Sequence, residues 1–337
     1  MNKNDAAAAP GKCAAAGDMR DEMAVTAGVA GLGLMGMSIV AALLSAGHRV
    51  IGLTRSLAKR SNARETIHER LVEMKAAGAL RGDPDTLIGH LQLTENYADF
   101  ASCGVVIESI IEDVPAKKEA LAKIEAVVAP DALIGSNTSA IPMAILQAGA
   151  LHPERILGIH WAEPAHVTRF MEIICGAHTT AENADRAVRL ARGWGKEPTL
   201  VKRDIRGFIT NRLMYAMLRE AFYLVENGYA TPADVDRSAR NDMGWWLTLA
   251  GPFRFMDLTG IPAYRNVMKD LFPELCNSTE VPKLMQQVVD AGGRGVSNAQ
   301  GFYKYTPEQA KRWEALFLKF SYDIRALAQQ YPENVGD

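Results

Sequence analysis

The sequence has few cysteines and no excess of charge of either sign. Four cysteines lie far apart among 337 residues, with the spacing of neither a metal site nor a disulfide framework; they are Cys13, Cys103, Cys175 and Cys276. We therefore expect free thiols, no bound metal and a cytoplasmic protein. The chain has 37 Lys and Arg residues against 39 Asp and Glu residues. This balance favours neither a nucleic-acid nor a membrane partner, so we expect a small-molecule substrate.

The N-terminal segment lacks the unbroken apolar stretch of a targeting peptide. It is rich in alanine, but charged residues interrupt it. We interpret residues 1–22 as a flexible tail. The rest of the chain is long enough for two domains, and its hydrophobic content is sufficient for sizeable cores.

A run without any charged residue extends from Met23 to Gly47, which is long enough for a membrane-spanning helix. Its first half carries four glycines, however, and each would weaken a helix by about 0.5–1 kcal/mol relative to alanine. The pattern instead predicts a buried strand over Val25–Ala30, a tight turn, a helix over Leu34–Ala46 and a second strand over Arg49–Leu53. This β-α-β order is typical of a dinucleotide-binding unit.

The tight turn carries the motif G-x-G-x-x-G at Gly31, Gly33 and Gly36. Gly31 turns the chain, Gly33 lets the backbone approach a pyrophosphate, and Gly36 lets the helix and strand pack closely. The helix start at Leu34 and Met35 offers N–H groups and a positive dipole end to the phosphates. We predict that a dinucleotide binds here, the alternative being an ordinary glycine-rich turn.

Strand-like and helical runs alternate as far as about Lys202, after which only helical runs follow. The alternation predicts a Rossmann-type, parallel, doubly wound sheet, and the later pattern predicts an all-helical domain. We place the dinucleotide-binding domain at residues 23–204. The helical substrate and dimerisation domain follows at residues 205–337.

His160 is the best placed of the seven histidines for chemistry. It ends the strand-like run ILGIH, at the edge where doubly wound sheets bind their ligands. Glu172 lies in the next run, FMEII, and a chain that reverses between the two runs can set the carboxylate against the imidazole of a general base. A histidine at a strand end is as often a satisfied polar residue, so both interpretations stay open.

The run GSNTS at Gly135–Ser139 follows another strand and places three hydroxyls and an amide in five residues. Such a cluster can hold a nicotinamide and a substrate oxygen. Runs of Ser, Asn and Thr more often form turns or cap helices, however, and a plausible helix begins at Ile141-Pro142. The residues alone leave both possibilities open.

Taken together, these motifs resemble the 3-hydroxyacyl-CoA dehydrogenase family, including its L-gulonate dehydrogenase and lambda-crystallin branch. The resemblance extends from Met23 to about Tyr305. Its motifs follow one another in the family's order: GLGLMG at 31–36, VIESIIED at 106–113, SNTS at 136–139, GIHWAEP at 158–164, MEII at 171–174, GFITNR at 207–212, GPFRFMDLTG at 251–260 and GFYKY at 301–305. The resemblance implies an NAD(P)-dependent oxidoreductase of CH–OH groups and a homodimer formed through the helical domain.

The family pattern also implies individual roles. His160 would be the catalytic base and Glu172 its partner, while Ser139 and Asn211 would touch the reacting oxygen. Further cofactor positions, around the nicotinamide and its ribose, are Glu112, Lys117 and Asn137. The implied reaction is oxidation of a secondary alcohol, or the reverse reduction, because hydride leaves the carbon readily only as the hydroxyl proton departs.

The chain departs from the family pattern at the end of the second strand. An NAD enzyme usually has an acid there, which bonds the ribose 2′-hydroxyl and repels a 2′-phosphate. This chain has Thr54, Arg55 and Ser56 instead, and Lys59 and Arg60 follow closely. Hydroxyls and a guanidinium suit a 2′-phosphate. We therefore predict NAD(P) with NADP favoured, although NAD stays open and Arg55 can instead stack on adenine.

The expected substrate positions depart from the family as well. Glu163 stands where the family has an asparagine, and near the GPF motif Trp246, beside Trp245, takes the place of an arginine found in crystallin-like relatives. Paired tryptophans more often serve packing, but with Glu163 they can bind a cationic or flat aromatic substrate. We favour a small 3-hydroxy acid or related alcohol. The alternatives are an acyl-CoA thioester and a non-enzymatic, crystallin-like dinucleotide-binding protein.

Overall fold

The structure, a computed structural model, describes residues 25–58 and 61–331. The sequence features that lie outside these ranges are the predicted tail at 1–22, Cys13, Lys59 and Arg60. The chain divides into two compact units, Met1–Arg206 and Gly207–Asp337. Within the described ranges, no helix has both the length and the apolar character that a membrane span requires.

The first unit is built on one sheet of eight strands. In chain order these are β1 Thr26–Ala30, β2 Val50–Leu53, β3 Leu91–Thr94, β4 Cys103–Glu108, β5 Leu133–Ser136, β6 Ile156–Trp161, β7 Phe170–Ile174 and β8 Glu197–Val201. Their order across the sheet is β3-β2-β1-β4-β5-β6-β7-β8. Every neighbouring pair is parallel except β6 and β7, which are antiparallel. The predicted Rossmann-type fold class is therefore confirmed.

Helices of the first unit connect these strands. They are α1 Leu34–Ser45, α2 Ala63–Ala76, α3 Pro84–Ile88, α4 Val114–Glu125, α5 Met143–Gln147 and α6 Ala181–Gly193. Side-chain caps fix several of their starts, as where Asp113 accepts the N–H of Ala116 at the start of α4. The central strands consist of buried apolar residues, such as Val105–Ile107 in β4. Such continuous apolar runs are typical of parallel strands that are covered on both faces.

The second unit consists of helices and short turns over the described residues 207–331. Its helices are α7 Thr210–Glu226, α8 Pro232–Asn241, α9 Met243–Leu247, α10 Gly251–Thr259, α11 Ile261–Leu271, α12 Lys283–Asp290 and α13 Pro307–Ala328. A capping box formed by Thr306 and Gln309 starts α13. The expected helical character of this part of the chain is confirmed.

Candidate active site

The glycine turn between β1 and α1 leaves no room for side chains at two of its positions. Gly31 has a φ of +106°, and a Cβ there would lie 2.4 Å from the carbonyl oxygen of Ser109. A Cβ on Gly36 would lie 1.8 Å from the carbonyl oxygen of Gly31. Because a larger residue at either position would collide with backbone, these glycines hold β1, β4 and α1 close together.

The middle of the same turn is open. Among the described residues, no heavy atom lies within 4 Å of the place where a Cβ on Gly33 would stand. No described side chain caps the start of α1, where Leu34 is 63% exposed and Met35 is half-buried. Uncapped N–H groups beside an open turn at a helix start fit a pyrophosphate. The geometry therefore suits the cofactor predicted from the motif.

The loop after β2 carries the residues predicted to meet the adenosine ribose. Thr54 is buried and its N–H donates to the carbonyl oxygen of Thr94 at 2.9 Å, whereas Arg55 is exposed and Ser56 half-buried. The N–H of Leu57 donates to Glu95 Oε1 at 2.5 Å. No local sequence signal indicates this carboxylate beside the loop, since only the pairing of β2 with β3 brings it there.

His160 and Glu172 meet in the structure. They are directly opposite each other in the antiparallel pair β6–β7, and His160 Nδ1 lies 3.0 Å from Glu172 Oε2. The side chains are 9% and 1% exposed. The ring of Phe170 contacts the imidazole edge to face, with centroids 5.4 Å apart. The chain reversal that the sequence analysis considered therefore brings the carboxylate to the imidazole.

Asn137 links the ends of three strands beside this pair. Its Oδ1 accepts the N–H of Trp161 at 2.9 Å, and its Nδ2 donates to Ser109 Oγ at 3.2 Å. On the other side, the ring of Trp161 stacks on Trp194 with centroids 5.3 Å apart. These contacts hold the backbone next to His160 in place.

Lys117, one of the predicted nicotinamide positions, forms a buried ion pair. Lys117 Nζ is 2.7 Å from Glu108 Oε1 and 3.4 Å from Glu112 Oε2, and the Lys117 and Glu108 side chains are fully buried. Glu108 also accepts hydrogen bonds from Ser136 Oγ at 2.6 Å and the N–H of Ile110 at 2.8 Å. The sequence analysis did not identify Glu108 as a site residue. The signal that could have indicated it is a single acid in an otherwise apolar strand.

Glu112 organises the start of the loop after β5. Its Oε1 accepts the Thr138 hydroxyl at 2.6 Å and the N–H groups of Ser139 at 2.9 Å and Ala140 at 3.2 Å. Partial burial alone would raise the pKa of Glu112, but these hydrogen bonds and the Lys117 ammonium together lower it. The carboxylate therefore stays charged and fixes the backbone of Ser139.

A second polar cluster lies around the loop that follows His160. His166 Nδ1 is 2.8 Å from Ser38 Oγ, and its Nε2 is 3.3 Å from Glu73 Oε1. Burial raises the pKa of Glu163 in this loop, and the charges of Arg70 and His166 act in the opposite direction. This cluster joins α1, α2 and the loop, and no local sequence pattern could have indicated it.

The remaining predicted residues belong to the second unit. Asn211 is the second residue of α7. Trp245 and Trp246 lie in α9, where Trp245 is 72% exposed and Trp246 stacks on Phe255 of α10 with ring centroids 4.2 Å apart. The structure thus gives Trp246 a packing contact within its own unit.

The fold and the glycine turn define the class: this is a Rossmann-type dinucleotide-binding protein. Residues 26–205 match the family model of the 3-hydroxyacyl-CoA dehydrogenase NAD binding domain, and residues 207–305 match that of its C-terminal domain. The chain belongs to the 3-hydroxyacyl-CoA dehydrogenase family. It is accordingly an oxidoreductase that acts on a CH–OH group and carries an NAD binding domain.

Individual relatives cover most of the chain. A 5-formyl-3-hydroxy-2-methylpyridine 4-carboxylate 5-dehydrogenase of Mesorhizobium japonicum is 32% identical over 85% of this chain and 93% of its own. A solved structure of a dehydrogenase with that activity, an NAD⁺-dependent dismutase, has a TM-score of 0.85 and 29% identity over 92% of this chain and 100% of its own. The (S)-3-hydroxybutyryl-CoA dehydrogenase of Ralstonia eutropha has a TM-score of 0.69 and 27% identity over 84% of this chain and 99% of its own.

Proposed function

We propose that this chain oxidises a small 3-hydroxy acid or a related secondary alcohol, with His160 as the general base and Glu172 as its partner. The observation that carries the proposal is the buried His160–Glu172 pair at the carboxyl edge of β6. That edge also carries the glycine turn after β1, three strand positions away. At the usual strand spacing this is roughly 14 Å, which an extended dinucleotide can span.

The pair supplies proton transfer. Glu172 accepts a hydrogen bond from Nδ1 of His160, which leaves Nε2 as the ring atom that takes the proton of the substrate hydroxyl. The carboxylate then stabilises the imidazolium, and this favours departure of the proton. In the reductive direction the same Nε2 returns a proton to the carbonyl oxygen. Ser139 and Asn211 are proposed to hold that oxygen.

NAD(P) accepts or donates the hydride when it is bound. Gly31, Gly33 and Gly36, together with the N–H groups of Leu34 and Met35, would hold its pyrophosphate. Glu112 and Asn137 would lie near the nicotinamide and its ribose. Lys117 is fully buried, so we propose that it acts by fixing Glu112.

A second candidate substrate is a flat aromatic alcohol or aldehyde that carries a carboxylate. It is supported by the higher TM-score, 0.85 against 0.69, to the pyridine-carboxylate dehydrogenase than to the hydroxybutyryl-CoA dehydrogenase. The tryptophans at 245 and 246 are the residues proposed to contact such a ring. Both candidates are small molecules, in contrast to a thioester with a long carrier.

Kinetics on matched substrates test this proposal. The panel contains free 3-hydroxy acids, their CoA thioesters and aromatic alcohols and aldehydes with and without a carboxylate, each with NAD⁺ or NADP⁺ (NADH or NADPH for reduction). We expect the best free acid to have a kcat/KM at least about tenfold above its thioester, which corresponds to about 1.4 kcal/mol of transition-state binding. A better thioester would replace the proposal with acyl-CoA oxidation. Tight cofactor binding without turnover of any substrate would favour the crystallin-like alternative.

Cofactor preference depends on Arg55 in our proposal, with NADP favoured. Arg55→Asp is expected to shift the ratio of kcat/KM for NADP⁺ to that for NAD⁺ by at least about tenfold towards NAD⁺, since it removes a phosphate-binding cation and adds a repelling carboxylate. The matched control is Glu95→Gln, which removes the neighbouring carboxylate and should shift the ratio in the opposite direction. An unchanged ratio for Arg55→Asp would show that the side chain only stacks on adenine.

We propose a homodimer formed through the helical unit, as the family resemblance implies. A cytoplasmic location stays a prediction from the cysteine pattern.

A further inference from the structure

A buried lysine binds the loop between β6 and β7, residues 162–169, which we call the β6–β7 loop. Lys196 is 5% exposed and directly precedes β8. Its ammonium donates to the carbonyl oxygen of Ala165 at 2.5 Å and to that of Thr168. Because burying an ammonium is costly unless hydrogen bonds replace the lost water, these two contacts favour one conformation of the loop.

The same ammonium contacts the residue next to the proposed base. Lys196 Nζ lies 5.0 Å from the centroid of the Trp161 ring, and Trp161 directly follows His160 in β6. At this distance a cation is attracted to the face of an indole. The lysine is itself anchored, since its backbone N–H donates to the carbonyl oxygen of Ala191 in α6 at 3.1 Å. It therefore joins the end of a helix to both the loop and the end of β6.

Hydrogen bonds within the β6–β7 loop make it compact. The N–H groups of Val167 and Thr168 both donate to the carbonyl oxygen of Pro164 at 3.0 Å. Thr168 Oγ1 donates to the carbonyl oxygen of Ala162 at 3.2 Å. The two carbonyls that accept from the lysine thus belong to one folded segment, so a contact with them fixes the whole loop.

The His160–Glu172 pair lies near the end of the β6–β7 ladder, where this loop begins. Only the pair of Trp161 with Met171 lies between it and the loop. On its other side, β6 pairs with β5 as far as Gly158, two residues before His160. The end of a paired strand opens more readily than its middle. Since a displacement of about 1 Å in a reacting group can cost about 10²-fold in rate, the loop has to hold this end closed.

We propose that Lys196 is a positioning residue for the oxidation, which fixes the β6–β7 loop and thereby holds the His160 imidazole against Glu172. The inference rests on the proposed function, in which His160 is the base. The lysine acts through the loop and the Trp161 ring, and it takes no proton itself. Without its ammonium, two loop carbonyls would lose a buried donor, and the loop would relax towards conformations in which water reaches them.

Steady-state kinetics of Lys196→Met test the proposal, because methionine keeps most of the side-chain volume and removes the charge. We expect kcat to fall at least about tenfold with the best substrate of the panel. The dissociation constant of the cofactor should change less than about threefold, since the glycine turn lies three strand positions away from β6. Lys196→Arg keeps a cation with several donors and should retain more activity than Lys196→Met. The matched control is Lys202→Met, which changes an exposed lysine directly after β8 and should leave kcat unchanged.

Combination with Glu172→Gln separates positioning from a general loss of structure. If Lys196 acts through the His160–Glu172 pair, Lys196→Met should lower kcat by less than about threefold in the Glu172→Gln background, because the charged contact that the lysine maintains is already lost there. The same factor in both backgrounds would show that the lysine has only a structural role, and this would reject the proposal.

Failure of this inference and failure of the proposed function give different results. Native kcat in Lys196→Met together with an inactive His160→Gln would reject the role of the lysine and retain the base. Full activity in His160→Gln would reject both. If Lys196→Met loses its circular dichroism, Lys196→Gln decides, because its amide can still donate to one loop carbonyl. A native kcat in that variant would reject the proposal, whereas a loss of at least about threefold that disappears in the Glu172→Gln background would support it.

Discussion

His160→Gln is expected to lower kcat by roughly 10²- to 10⁴-fold, the usual contribution of a general acid or base. Glutamine keeps a polar side chain beside Glu172 but cannot take the proton of the substrate hydroxyl. The affinity for the cofactor should persist, because the glycine turn lies three strand positions away from β6. Steady-state turnover and fluorescence titration with the reduced cofactor measure the two quantities separately.

His152 provides a matched control for this experiment. Its Nδ1 lies 3.3 Å from Glu154 Oε1, so it also faces a carboxylate, but the side chain is 52% exposed. His152→Gln should leave kcat unchanged. Glu172→Gln, which removes the charge and keeps the shape, should also lower kcat if the carboxylate stabilises the imidazolium. Full activity in His160→Gln would end the assignment of the base.

The β-α-β start could be predicted because its signals are local. A charge-free run, glycines at fixed spacing and a second apolar run indicate a strand, a turn, a helix and a strand without knowledge of distant contacts. Two strands carried no such signal. β3 and β8 read LQLT and EPTLV, and both lie at the edges of the sheet with several side chains half-buried or exposed. Edge strands need no continuous apolar run, so their sequences resemble loops.

The part of the candidate site that lies on strand-like runs could be predicted from the sequence. His160 ends one strand-like run and Glu172 lies within the next. A reversal of the chain between the two runs is therefore enough to pair them. Glu108 gave a weaker signal, because its partner Lys117 lies on the following helix and the ion pair forms only when α4 packs on the sheet. Contacts such as Ser38 with His166, 128 residues apart, depend entirely on tertiary structure.

Lys117→Met is expected to destabilise the protein by about 3–5 kcal/mol, the usual cost of removing one partner from a buried ion pair. Methionine has a similar volume and no charge, so the Glu108 carboxylate would stay buried with hydrogen bonds from Ser136 and Ile110 but no cation. Urea denaturation followed by circular dichroism measures the free energy of unfolding, and an unchanged slope with denaturant would exclude a change in the unfolded state.

The double variant Lys117→Met/Glu108→Gln separates charge from packing. A glutamine amide can still bond the Ile110 N–H and Ser136, and no unpaired charge is left in the interior, so the double variant should lose less stability than Lys117→Met alone. Lys123→Met is the control, since Lys123 pairs with Glu119 on the exposed side of the same helix, and no measurable change is expected there. If the single and double variants lost the same stability, the cost would come from packing around residue 117. The buried charge pair would then contribute nothing to holding α4 and Glu112 against the sheet.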